Sequence, residues 1–311
     1  MPKSRKKLVG IAIGAIQRKY GDREALRIAK EFGADAVDFD LDGGFDIRDD
    51  KSIYSKDDCA VSEYFESLGQ YARDLGLIIS QTHGRGKGFA PDEAHNAAII
   101  KNIRLDCLAT AALGAPYCVI HGVSSIRMPD GTPEEMRELN YKLFSEALPF
   151  AKKYGIKLAT ETFGDVHGGK CCDFFGNLDE FLTAYERIAS EGENRDYLAV
   201  CLDTGHSNKA SRFGSNPKVP ELIRALGKRI EVLHLNDNGS LFDQHLIPFV
   251  GTGSYGVTGG VDWKATLDAL EEIGYGGVYN MELFLPRYGE ELIVDTAAFA
   301  VKVMKNALKG R

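Results

Sequence analysis

The sequence predicts an α/β fold, a single (β/α)8 TIM barrel spanning residues 1–311, and three observations lead there. Short runs rich in β-branched and apolar residues alternate eight times with longer helix-patterned segments. The runs fall roughly 30–45 residues apart, the spacing of parallel strands joined by crossover helices and buried on both faces. Six of the eight runs stop on His, Asp or Glu, and no internal Pro/Gly/Ser-rich stretch is long enough to be a linker. A chain of this length routinely forms such a barrel as one domain.

Taken in order, Leu8 to Ile13 reads as the first strand, followed by a helix from Arg23 to Phe32 that Gly33 ends. Ala36 to Leu41 is the second strand, and Val61 to Leu75 a helix with Gly76 behind it. Leu77 to Thr82 is the third strand, ending on His83, and Asp92 to Leu113 is helical up to Gly114. Tyr117 to Ile120 is the fourth strand, ending on His121. The next helix runs from Pro133 to Tyr154 with Thr132 as its N-cap, and Pro149 marks its last turns.

Ile156 to Thr160 is the fifth strand, ending on Glu161, and Asn177 caps a helix to Ala189. Tyr197 to Leu202 is the sixth, ending on Asp203 with His206 three residues on. A short helix from Pro220 to Leu226 leads to the seventh, Ile230 to Leu233, ending on His234. Trp263 to Ile273 is a helix, Gly277 to Asn280 the eighth strand leading into Glu282, and Glu291 to Leu308 the closing helix.

Composition bounds the partners. With 44% hydrophobic and 27% charged residues the chain is an ordinary globular one, and a net charge of −7 advertises no polyanionic partner. No apolar run approaches the ~18 residues of a membrane span. The six cysteines show no C-x-x-C spacing; Cys107, Cys118 and Cys201 lie in apolar runs, where a buried thiol is the default. The basic start MPKSRKK lacks a cleavage signal behind it, so a cytoplasmic, reduced location is expected.

Chemistry concentrates at the strand ends. The catalytic face of such a barrel is built from the C-terminal ends of its strands and the loops that follow. Those positions carry His83, His121, Glu161, Asp203, His206, His234 and Glu282. The stretch from Ile230 to Trp263 adds Asp243 and His245, two apart on a polar loop after the Asn236–Gly239 turn. Imidazoles and carboxylates gathered on one face suggest a metal site. His95 and His167 fall off the pattern and read as surface or loop residues.

Ordered along the chain, THG at Thr82–Gly84, IHG at Ile120–Gly122, ATETFG at Ala159–Gly164 and CLDTGH at Cys201–His206 form a recognisable series. It continues with HLNDN at His234–Asn238, DQHL-x-P at Asp243–Pro248, G-x-G before VDW, and MEL at Met281–Leu283. The series resembles the xylose isomerase-like, or AP endonuclease 2-like, barrel superfamily, and within it the sugar phosphate isomerase/epimerase branch. The resemblance implies that Glu161, Asp203, His234 and Glu282 hold one divalent metal ion. Mn²⁺ or Mg²⁺ is favoured for a mainly oxygen site, with Co²⁺ or Zn²⁺ possible. It further implies isomerisation or epimerisation of a sugar or sugar phosphate through a cis-enediolate. Glu161 and Glu282 would be the catalytic acid/base pair, and His83, His121, His206, Asp243 and His245 would line the substrate. A homo-oligomer is compatible with this family, while neither membrane nor nucleic acid is expected as a partner.

Two other classes share the barrel. The endonuclease IV enzymes hold three zinc ions with nine ligands, and all nine have counterparts of the right type here: the six strand-end residues with His206, Asp243 and His245. Against abasic-site DNA stands the loop after the second strand, which carries Asp42, Asp46, Asp49, Asp50, Asp57 and Asp58 where duplex binding needs cations. The third-strand loop HGRGKGF also lacks the nuclease's aromatic follow-on. A catalytically silent sugar-binding barrel is disfavoured by the presence of both glutamates. Arg85, Lys87, Arg127, Lys209, Arg212 and Arg287 are the loop cations available for a substrate phosphate. Phe163, Phe174, Phe175, Trp263 and Phe284 are candidates for the pocket wall.

Overall fold

The computed structural model describes residues 6–123, 128, 131–162, 166–167, 170–171, 177–212, 216–240, 242–250 and 259–311, with backbone alone at 166–167 and 170–171. Arg127, Phe163, Phe174, Phe175 and the glycines at 251, 253 and 256 lie outside the described residues, as does the side chain of His167. Eight parallel strands form the barrel: β1 Val9–Ala12, β2 Ala36–Asp40, β3 Ile78–His83, β4 Tyr117–Ile120, β5 Lys157–Glu161, β6 Leu198–Asp203, β7 Ile230–His234 and β8 Tyr279–Met281. Their spatial order is β8-β1-β2-β3-β4-β5-β6-β7. Closure between β7 and β8 is made by Leu235, whose N–H donates to the Asn280 carbonyl (2.8 Å) and whose carbonyl accepts from the Glu282 N–H (3.3 Å).

The outer layer holds α1 Gly14–Tyr20, α2 Asp22–Glu31, α3 Asp58–Asp74, α4 Glu93–Leu113, α5 Pro133–Tyr154 and α6 Leu178–Ala189. It continues with α7 Asn194–Tyr197, α8 Thr204–Ala210, α9 Val219–Leu226, α10 Trp263–Glu272 and α11 Ile293–Ala307. Helix α5 starts where the sequence predicts: the Thr132 side chain accepts from the Glu135 N–H while Glu135 reaches back, a full capping box with Pro133 behind it. Pro149 sits in its last turns, as expected. Asn177 caps α6 through the Glu180 N–H, again as predicted. The sequence reading misses α1, α7 and α8. Each is two turns long or less, too short to show the 3.6-residue apolar period on which such readings depend.

Alternation along the strands sorts the barrel interior into levels, because side chains two apart share a face. At the bottom, Tyr117 and Lys157 both bond Glu231 (3.0 and 2.6 Å). One step up, Val119, Ala159, Ala199, Cys201 and Val232 form a small dry cluster. One step further, at the mouth, stand His121, Glu161, Asp203 and His234. The opposite side of the interior is polar instead. There Asp38 of β2 accepts from Gln81 (2.9 Å) and sits 3.4 Å from the Asn280 amide. The principal apolar core lies between strands and helices and includes Phe39, Phe65, Phe144, Phe181 and Trp263.

Candidate active site at the barrel mouth

The strand ends, with the segments after β6 and β7, bring all nine predicted site residues into one cluster. Around Glu161, which is 3% exposed, stand three imidazoles. His121 Nε2 is 2.8 Å from Oε2, His234 Nδ1 3.2 Å from the same oxygen, and His206 Nδ1 2.9 Å from Oε1. Glu282 faces it from β8: its Oε2 is 3.2 Å from His234 Nδ1 and its Oε1 3.4 Å from His83 Nε2. Asp243 bridges two further rings, with Oδ2 at 3.1 Å from His206 Nε2 and Oδ1 at 3.1 Å from His245 Nε2.

Backbone and carboxylate partners fix the tautomers. A carbonyl or a carboxylate only accepts, so the ring nitrogen facing it carries the proton. His83 Nδ1 donates to the Gly84 carbonyl (3.1 Å) and His245 Nδ1 to the Glu282 carbonyl (3.1 Å). His234 donates through Nε2 to Asp38 (2.9 Å) in the fully buried interior. Their other nitrogens face carboxylate oxygens, as second donors where the ring is charged and as lone pairs where a metal ion takes the proton's place. None of the contacts to Glu161 Oε1, Glu161 Oε2 or His234 Nδ1 has hydrogen-bond geometry.

Acceptor facing acceptor in a dry pocket is costly unless a cation stands between them. Donor atoms of His83, Glu161, His234 and Glu282 all lie within 4.8 Å of one another, so these residues fit a divalent ion. Asp203 falls into other groups, with Glu161 and His206 and with His245 and Glu282. Its oxygens accept from the His206 N–H (2.6 Å) and the Asn236 amide (2.7 Å). A fourth group joins His206, Asp243 and His245.

Charges in this cluster hold one another. Burial would raise the Glu161 carboxyl, but His121 and His234 outweigh it and hold it well below the usual range. Burial likewise works against a charged His206, yet Asp203 and Asp243 hold its imidazole well above the usual histidine value. His245, with Glu282 and Asp243 beside it, is pushed up to about 10 against its burial. Asp203 goes the other way: burial dominates and raises it, with Glu161 adding to the rise against the pull of His206.

Local sequence explains the arrangement. Asp203 caps α8, so the turn of helix after β6 carries His206 back over Glu161. A Cβ at Gly205 would come within 1.9 Å of Asn236 Oδ1, so only glycine lets α8 dock on the 236–238 turn. Asp237 does not face the site. It accepts from the Trp263 indole (2.8 Å) and the Val261 N–H (3.0 Å), pinning the loop after β7 to the start of α10. The pairing of Asp237 with Leu246 folds that loop back, bringing Asp243 and His245 over the mouth. His245 has φ 45°, a strained value for a non-glycine residue, and strain of this kind gathers at functional sites.

Some expectations change. Arg85 is unavailable to a phosphate: it is 2% exposed, its Nε donating to Asp106 (2.8 Å) and its Nη1 to the Phe45 carbonyl (2.8 Å). Lys209 is buried too, and Arg287 donates to the Gln244 carbonyl. Trp263 belongs to the core, while Phe284 is 56% exposed at the mouth. Asp38 was not anticipated. Its signal was a carboxylate inside the apolar run AVDFD, where a charge survives only with partners. Among the described residues, no helix is long and apolar enough to cross a membrane.

Comparison with known proteins agrees with this architecture. A sequence profile of the xylose isomerase-like TIM barrel family matches residues 26–303. An inosose isomerase of Bacillus subtilis (strain 168) is 29% identical over 202 residues, covering 63% of this chain and 64% of that protein, so just under two thirds of that relative is spanned. A solved structure of a D-tagatose 3-epimerase-like protein superposes with a TM-score of 0.70 at 19% identity, covering 97% of both chains. An IolI protein solved with a zinc atom gives a TM-score of 0.66 at 20% identity, covering 98% of this chain and 100% of that one. At such identities the two solved structures speak to the fold alone. The match over residues 26–303 decides the matter: the chain belongs to the xylose isomerase-like TIM barrel family.

Proposed function

We propose that the chain is a metal-dependent isomerase or epimerase of a sugar or sugar phosphate, with Glu161 and Glu282 moving the proton. One observation carries this reading. Each glutamate turns one oxygen, Oε2, toward His234 Nδ1 at 3.2 Å and keeps the other outside that contact. A carboxylate so placed serves a metal with one oxygen and a substrate C–H with the other. The similarity to an inosose isomerase supports the same class.

A divalent ion, when bound, supplies Lewis acidity and a template for adjacent carbonyl and hydroxyl oxygens. Glu161, His234, Glu282 and the nearby Asp203 or His83 would hold it. Two imidazoles with two carboxylates suit Zn²⁺, Co²⁺ or Mn²⁺, while Asp203 in place of His83 tilts the set toward Mn²⁺ or Mg²⁺. Glu161 and Glu282 flank the mouth, one taking the proton beside the carbonyl to leave the enediolate and the other, already protonated, delivering its own proton to the opposite face. His206 Nδ1 stands 2.9 Å from Glu161 Oε1 and His83 Nε2 3.4 Å from Glu282 Oε1, so a charged ring at either place would steady that oxygen by ion pairing. His121, whose side chain is 27% exposed, is placed to hydrogen-bond a substrate hydroxyl.

Deuterium uptake from D₂O into a turned-over ketose tests the roles. Glu161→Gln and Glu282→Gln should each lose uptake by ~100-fold or more, in the range of a lost general base. Wild-type uptake in either variant removes that residue from the proton path. A second reading, a three-metal hydrolase of abasic DNA, is favoured by the His206–Asp243–His245 group alone.

A further inference from the structure

Beside the glutamates the mouth extends into a cleft of about 240 Å³ between the ends of β8, β1 and β2. Pockets for drug-sized ligands run to roughly 300–1,000 Å³, so this one takes a group of monosaccharide size or smaller. Its inner end is Glu282 and His83, two of the residues proposed to hold the reacting end of the substrate. Its outer wall is Asp40, Asp42 and Arg18. Whatever part of a substrate is not reacting would lie here.

The polar groups of the cleft are mostly acceptors. Asp38, Asp40, Asp42 and Glu282 face it against one guanidinium, Arg18. If Glu282 and Asp38 are assigned to the metal and its histidine, two carboxylates and one guanidinium are left. Arg18 is itself engaged, its Nη1 at 3.0 Å from Asp40 Oδ2. Asp40 is held firmly for recognition: the Gly43 N–H donates to Oδ1 (3.1 Å), and its backbone is bracketed by Gln17, which accepts from its N–H (2.9 Å). A Cβ at Gly14 or at Gly43 would approach Asp40 Oδ2 to 2.5 Å, so two glycines leave room for that carboxylate. Deeper in, Asp38 is fully buried and its Oδ1 has no hydrogen-bond partner.

Such a wall suits one kind of ligand. A sugar phosphate brings a dianion that needs converging N–H donors. Here it would meet two carboxylates and a guanidinium already paired. Of the other arginines near this wall, Arg85 is buried between Asp106 (2.8 Å) and the wall's own Asp42 (3.4 Å), and Arg287 donates to the Gln244 carbonyl. A polyol brings hydroxyl donors, which carboxylates accept well, and a free edge of Arg18 can donate to a hydroxyl oxygen. We infer that this cleft is a subsite for the non-reacting end of an uncharged polyhydroxylated substrate, read by Asp40 with Arg18, and that it discriminates against phosphorylated ones. The inference rests on the isomerase reading for which end of the substrate reacts, but the binding it claims does not require turnover.

Calorimetric binding of myo-inositol and of xylitol, set against a ketose monophosphate, tests it on the full chain. The free polyols should bind at least tenfold more tightly than the monophosphate. Asp40→Asn should weaken polyol binding tenfold or more and tighten the monophosphate, two changes of opposite sign that a folding defect would not produce. Arg18→Met, on an exposed side chain, should weaken polyol binding three- to tenfold with an unchanged melting profile. Equal or tighter binding of the monophosphate by the wild type would overturn the inference, as would the absence of polyol binding or a uniform loss of both ligands in Asp40→Asn. Polyol binding with no turnover of any ketose would retain the subsite and overturn the isomerase reading instead. Turnover of phosphates in preference to free sugars would do the reverse.

Discussion

Asp38 shows how much a single buried residue controls. It lies on β2, three strands from His234 around the barrel in one direction, yet fixes that ring at 2.9 Å and so decides which nitrogen faces the two glutamates. A carboxylate behind a ligand histidine sets its tautomer and raises its basicity, and removing it typically costs 10–100-fold in metal affinity. Asp38→Asn should therefore weaken Mn²⁺ or Zn²⁺ binding by about that factor, read by competition with a chromogenic chelator. An unchanged affinity would mean that His234 lies outside the metal's reach. His234 itself was legible because it ends a β-branched run. Asp38 was not, because a sequence shows an isolated carboxylate in a strand without showing the partner on the far side of the barrel.

At the scale of elements, the barrel's lower rim is tied together by Asp35, just before β2. It accepts from the Val9 N–H (3.1 Å) at the start of β1 and pairs with Lys6 (2.9 Å) and with Lys305 of α11 (3.1 Å). Burial opposes ionisation, but Lys6, the Val9 amide and Lys305 outweigh it and hold the carboxyl below its usual value of 3.8. A depressed folded value means stability that is fully present above the unfolded value and is lost as pH falls through the folded one. Asp35→Asn should cost about 1 kcal/mol at neutral pH, a surface-discounted figure. The gap between variant and wild type should close as pH falls below 3.8 and through the depressed folded value, and urea titrations at a series of pH values would detect it. A gap constant with pH would assign the loss to packing rather than charge. Elements with caps and long periods, such as α4 and α5, were legible to within a residue or two. The two-turn α1 and α8 were not, for their positions are set by tertiary contacts at the mouth.

For the whole molecule the open quantity is the number of ions. We expect one firmly held divalent ion per chain, since His83, Glu161, His234 and Glu282 share a single centre. Saturation at about 100 times the dissociation constant should add about 2.7 kcal/mol to stability, which a calorimetric melt would register as several degrees. Asp203→Asn should reduce metal retention, whereas His121→Ala should keep the metal and weaken the sugar. Three zinc ions per chain together with cleavage of abasic DNA would favour the hydrolase. The acidic loop argues otherwise: its six aspartates outnumber its cations Arg48, Lys51 and Lys56, and Asp46 already holds Arg48. The barrel as a whole was legible because eight strand ends recur at regular intervals. The grouping of donors was not, because sequence gives the strand on which a ligand stands and not the angle at which its side chain leaves.

The two halves of the barrel interior differ in one further respect. Glu161 rises from the dry cluster of Val119, Ala159 and Cys201, whose thiol burial pushes up to about 12, and only 2% of its side chain meets solvent. Glu282 rises beside Asn280 on the polar half, with 21% of its side chain exposed. Under the proposed roles, a proton taken up by Glu161 reaches solvent only through its histidine neighbours, His121 first. One taken up by Glu282 trades with solvent directly. The two faces of the same substrate carbon would thus differ in how fast the proton taken from them is lost to water, the Glu161 face being the slower.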